Sequence, residues 1–114
     1  MTRIPLFNRR GNHGFVVEHF DPLAAPSGEP GTTIRYHVSV GQYPDGSAGE
    51  VFITPGGKAG KGSMLEAIAR DAAILMSFAL QYGAPPDVLR RAMTRDEKDR
   101  PQTFVGAVLD AMET

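Results

Sequence analysis

Between Thr33 and Gly83 the spacing of apolar residues changes from a strand-like to a helix-like period, and the rest of the chain extends this unit. Ile34, Tyr36, Val38 and Val40 alternate with Arg35, His37 and Ser39, which predicts a strand with one apolar face. Pro44-Asp45-Gly46 supplies turn chemistry, and Glu50-Val51-Phe52-Ile53-Thr54 resumes with β-branched and aromatic residues. Together they predict an antiparallel hairpin over about 33–54. A lone hairpin is marginal in water, so either the short run Phe15–Phe20, about 15–20, pairs with it as a third strand or a partner subunit completes the sheet. Asp21 to Thr33, rich in Pro, Gly and Ser, reads as a loop.

Ser63-Met64-Leu65-Glu66 has the form of a capping box: the serine hydroxyl accepts from the Glu66 amide, and the glutamate reaches back to the amide of Ser63. The helix it opens is expected over about 64–82, ended by Gly83 and Pro85. Leu65, Ile68, Ala72, Leu75, Met76, Phe78, Ala79 and Leu80 wrap most of its circumference, leaving a polar stripe of Glu66, Arg70, Ser77 and Gln81. Glu66 and Arg70 are spaced to form an i,i+4 ion pair. So apolar a helix is expected to be buried on more than one side, either by its own chain or at a subunit interface. Pro85-Pro86-Asp87 opens a second helix to about Met93, with Val88, Leu89 and Met93 inward and Arg90 and Arg91 solvated. Residues 94–102 read as a solvent-exposed linker. Thr103 caps a final helix, Phe104 to about Met112, with Phe104, Val108, Leu109 and Met112 on its apolar face. The predicted class is α+β: a small antiparallel sheet packed on a long central helix and two shorter ones.

Composition narrows the chemistry. A chain of 114 residues, 41% hydrophobic and 22% charged, predicts one soluble domain: a basic arm at 1–14, a core at 33–93, a loop at 94–102 and a terminal helix at 103–113. Net charge is −1, so bulk charge alone predicts no nucleic-acid or acidic-membrane binding. The absence of cysteine excludes disulfides, thiolate metal sites and cysteine nucleophiles. Three scattered histidines without cysteine argue against a structural zinc, and neither metal nor cofactor is expected. With no apolar run long enough for a membrane span and no apolar leader, the expected location is cytoplasmic.

Gly56-Gly57-Lys58-Ala59-Gly60-Lys61-Gly62-Ser63 invites comparison with a phosphate loop. A Walker A motif requires a hydroxyl residue directly after the lysine; here Gly62 follows Lys61 and the match fails. Two readings remain for Lys58, Gly60, Lys61, Gly62 and Ser63: a structural connector, or an anion contact at a helix N-terminus. Arg9 and Arg10 lie in a basic loop that is either solvated or turned to a phosphate. The candidate acid/base groups are Asp45, Glu50 and His37, each of which also has a plain structural role in a turn or strand.

The ordered set Arg9-Arg10-Gly11, Val40-Gly41-Gln42-Tyr43-Pro44-Asp45-Gly46, Gly49-Glu50-Val51-Phe52-Ile53, Gly57-Lys58-x-Gly60, Ala79-Leu80-Gln81-Tyr82-Gly83-x-Pro85 and Leu109-Asp110 resembles the C-terminal, TSCPD-type domain of adenosylcobalamin-dependent (class II) ribonucleotide reductases. There a "GEYxDGxxGEIFI" hairpin precedes a helix ending "GLQYGVP". The resemblance marks Tyr43, Asp45, Gly46, Gly49, Glu50, Gln81, Tyr82 and Gly83 as family positions. It implies ancestry in ribonucleoside-diphosphate reductases. The Thr-Ser-Cys-Pro-Asp signature is missing, however, and this chain has neither the radical-carrying cysteine nor room for the catalytic barrel. The expected function is therefore a non-catalytic module binding a reductase subunit, a nucleotide or a nucleic acid, as a homodimer or in complex with the reductase. A structural oligomerisation domain is the alternative, and a small independent enzyme the third reading.

Overall fold

The computed structural model describes residues 2–4, 11–21, 32–57 and 62–112. Three strands form one antiparallel sheet: β1 (Gly11–Asp21), β2 (Thr32–Gln42) and β3 (Ala48–Pro55), with β2 central. Three helices follow: α1 (Met64–Gln81), α2 (Pro86–Ala92) and α3 (Phe104–Met112). The α+β architecture, the hairpin and the third strand are as expected. β1 is longer than the Phe15–Phe20 run, however, and begins inside the segment assigned to the N-terminal arm. Ladder pairing with β2 carries strand structure past the apolar run at both ends.

The period-two pattern of β2 has its predicted consequence. Ile34, Tyr36, Val38 and Val40 are buried with Val51 and Ile53 of β3, whereas Arg35 and His37 stay exposed on the opposite face. Over the buried face α1 lies on β3 and α3 on β1. Tyr36 and Phe104 stack at 4.6 Å between ring centroids, joining the central strand to the last helix. Ala69, Ala73, Met76 and Leu80, at helical spacing, complete the core from α1. In α3, Phe104, Val108 and Leu109 are buried and Met112 packs against them, as the spacing predicted.

In the capping box Ser63 Oγ accepts from the Glu66 amide at 3.0 Å, as expected, and the Glu66 carboxylate accepts from the amide of Gly62 at 3.1 Å. Three local expectations change. Arg70 forms no ion pair with Glu66 among the described residues. Val88 is exposed rather than inward, since α2 meets the rest through Leu89 and Met93. The expected linker 94–102 is an organised turn. Asp96 accepts the amides of Lys98 and Arg100 at 2.9 Å, Arg95 bridges to Pro101, and the Arg95 guanidinium pairs with Asp110 of α3. A charged stretch reads as linker in one dimension; here a carboxylate brought from α3 pairs with the nearly buried Arg95.

Candidate functional site

The tip of the β2–β3 hairpin is built by turn chemistry. Asp45 accepts the Ser47 amide at 2.8 Å and the Ser47 hydroxyl at 2.6 Å, and Gly46 adopts φ 92°, a value that favours glycine. At the base of the tip Gly41 pairs with Glu50 and Gln42 with Ala48. Gly49 is thus an extra residue in β3, a bulge. The Tyr43 ring lies over it so closely that a Cβ there would sit 2.6 Å from a ring carbon.

Gln81, the last residue of α1 and 5% exposed, meets this bulge: its side-chain amide donates to the Gly49 carbonyl at 2.9 Å. Its carbonyl oxygen accepts from Arg3 Nε at 2.6 Å, and its backbone carbonyl accepts from Ile4 at 2.8 Å. The Tyr43 hydroxyl donates to the Ile4 carbonyl, and the Arg3 guanidinium lies 4.4 Å from the centre of the Phe78 ring. Burial pushes the Tyr43 phenol above its usual pKa; Arg3 opposes this, and Glu50 and Asp45 reinforce it. Arg3 and Ile4 are therefore strapped to the hairpin tip and the end of α1.

From this joint a groove of about 430 Å³ runs between the free edge of β3 and α1. Glu50, Phe52, Ile53, Thr54, Arg70, Ala73, Ile74, Ser77, Phe78 and Gln81 are among its lining residues. Ser77 Oγ accepts the Val51 amide at 2.9 Å, and its hydrogen faces the carbonyls of Ala73 at 2.8 Å and Val51 at 3.3 Å. The edge of β3 is thus satisfied by a helix, two strand residues for each four helix residues: Gly49 by Gln81, Val51 by Ser77. The match is metrical, since two strand residues advance about 6.6 Å and four helical residues about 6 Å.

Of the sequence-derived family positions, Tyr43, Gly49 and Gln81 converge in this joint. Asp45 and Gly46 form the turn beside it, and Glu50 lines the groove. Tyr82 caps α1 with a half-exposed ring, and Gly83, at φ 98°, ends the helix. These positions hold three chain segments together. The acid/base candidates do not converge: His37 pairs with Thr54 whereas Glu50 pairs with Gly41, four residues or about 13 Å along β2. Arg9, Arg10, Lys58, Gly60 and Lys61 lie outside the described residues. Gly62 and Ser63 stand at the start of α1, where Glu66 already accepts the Gly62 amide. Among the described residues no group of three metal-ligating side chains occurs, and no helix is long and apolar enough to cross a membrane.

The outer side of α1 is the other notable surface. Met64, Ile68, Ile74, Leu75, Phe78 and Tyr82 are all exposed, Leu75 to 71%. Phe52 on the outer face of β3 is exposed as well. The sequence reading missed Arg3, Ser77 and Ala73 as functional positions. Ser77 and Gln81, polar at i,i+4 in an otherwise apolar helix, were the available signal.

The sequence model of the TSCPD domain matches residues 22–111. The chain belongs to the TSCPD domain family. Membership supports an origin shared with ribonucleotide reductases, as the motif order implied. The match spans the β2–β3 hairpin, α1, α2 and α3 as far as Ala111, and takes in Tyr43, Gly49 and Gln81 but not Arg3 and Ile4, so the groove and the exposed face of α1 both belong to the TSCPD unit. Neither the curated proteins nor the solved structures compared with this chain gave a match.

Proposed function

We propose that this TSCPD chain is a non-catalytic, ribonucleotide-reductase-related binding module of the cytoplasm that docks a protein through the outer face of α1. Five large apolar side chains exposed on one helix, with Tyr82 at its C-cap beside them, carry the reading, because such patches mark interaction surfaces. A second copy of this chain fits the spacing. An antiparallel pairing of α1 about residue 73 sets Met64 against Tyr82 and Ile68 against Phe78, and places Asp71 beside Leu75 near the two-fold axis. A reductase subunit is the other occupant that ancestry favours. Light scattering across a concentration series tests the first, and titration with a purified class II reductase tests the second. Leu75→Glu is expected to abolish whichever association is observed. A strictly monomeric mass together with no reductase binding would overturn the docking reading.

A nucleotide, or a nucleic acid strand, is a second ligand class for the same module. The favouring observation is the β3–α1 groove, with Arg70 in its wall and without an ion pair among the described residues. Lys58, Lys61, Arg9 and Arg10 would add phosphate contacts; Gly62 and Ser63 would do so only in competition with the Glu66 carboxylate.

A further inference from the structure

Resting on the nucleotide reading, we infer that the β3–α1 groove takes a nucleobase, held on its donor–acceptor rim by the main chain of Ile53. Val40 pairs with Val51 and Val38 with Ile53 without a register break. Residues 51 and 53 therefore share one phase of the ladder. The Val51 amide points away from β2, to Ser77, so the Ile53 amide and carbonyl point the same way, into the groove. One helical turn before Ser77 the helix offers Ala73, a methyl group with nothing to accept or donate. Among the described residues no bond closes the Ile53 pair, whereas Gly49 and Val51 are each engaged from α1.

The gap selects its ligand by size. An added β-strand needs a row of open edge groups, but Gly49 and Val51 are engaged by α1, and Pro55 has no amide hydrogen. One donor and one acceptor side by side on a planar ring match a single open residue, and nucleobases carry that pattern. Phe52, Ile74 and Phe78 supply apolar walls, and the volume falls within the range of small-molecule sites, about 300 to 1,000 Å³. Arg70 stands toward the Thr54 end and Glu50 toward the Gln81 end. A 5′-phosphate is therefore directed to Arg70.

Adenosine, AMP and ribose 5-phosphate, titrated into the full chain by calorimetry with amide NMR in parallel, test this. Adenosine and AMP are expected to bind and to shift the Ile53 amide resonance, and ribose 5-phosphate to leave it in place. Ala73→Ser, which would close the Ile53 pair as Ser77 closes Val51, should weaken adenosine binding about tenfold, the loss expected for roughly 1.4 kcal/mol of hydrogen bonding. Arg70→Ala should weaken AMP but not adenosine. If AMP binds without moving Ile53, and Lys58→Ala with Lys61→Ala removes that binding, the groove assignment is overturned while the nucleotide reading stands. If neither adenosine nor AMP binds the unmutated chain, both fall.

Discussion

The two sides of α1 reverse the usual arrangement of a surface helix. Arg70, Ser77 and Gln81, the polar stripe, face the edge of β3, whereas Met64, Ile68, Leu75 and Tyr82 face outward. A strand edge is a row of unpaired amides and carbonyls and invites further pairing. Covering it takes hydrogen-bonding side chains at a four-residue helical spacing, which is what Gln81 and Ser77 provide. Ser77 and Gln81 are thus consumed inside the protein, and the outer face is left apolar. Low helix polarity, taken alone, predicts burial; it does not say whether the burying surface belongs to the same chain.

Truncating neighbouring residues on opposite sides of α1 separates its two faces most strongly. Met76→Ala, at a core position 6% exposed, should cost about 2–5 kcal/mol in denaturant unfolding. Leu75→Ala should fall within about 0.5 kcal/mol in the monomer, while weakening association in light scattering. Equal losses from the two would mean that the outer face is core.

The joint between hairpin tip and helix end offers the next largest effect. Gly49→Ala forces a methyl into the Tyr43 ring and should cost about 1–3 kcal/mol. Tyr43→Ala in the same chain should recover part of that loss, as a double-mutant cycle would detect. Ser77→Ala leaves the Val51 amide without its acceptor and should cost about 1–2 kcal/mol. A silent Ser77→Ala would remove the argument that α1 satisfies the β3 edge.

The smallest effect expected is acid sensitivity of the α2–α3 region. The hydrogen bond from Arg90 holds the Asp87 carboxyl below its usual pKa, and the Arg100 amide does the same for Asp96. Both groups release protons more readily folded than unfolded. Their stabilising contribution is therefore present at neutral pH and is lost as pH falls below about 4, through the folded values. Asp87→Asn and Asp96→Asn should each flatten that limb of the stability–pH curve, and both sites, being partly open to solvent, should give small changes.

The hairpin, the helix starts and stops and most of the inward face were legible in the chain because each rests on local chemistry. Alternation in Ile34–Val40, the Ser63 cap, Gly83 after the last helical turn and the Phe104–Val108–Leu109 spacing all act within a few residues. The family positions were legible as a set, but their purpose was not. Tyr43, Gly49 and Gln81 make sense only once a bulge, a ring and a helix end lie in van der Waals reach. Arg95 likewise looked like part of a solvated charge run until Asp110 was placed beside it.

The α+β class, the turn at Asp45-Gly46, the length of α1 and the absence of thiol chemistry follow from composition and short-range spacing. Tertiary packing turned the polar stripe of α1 to a strand edge and its apolar side outward. It also set Ile53 beside the groove between β3 and α1. Side-chain period reports which residues share a face; what that face meets depends on segments far apart in the chain, and on whether a hydroxyl or a methyl stands at the one turn opposite.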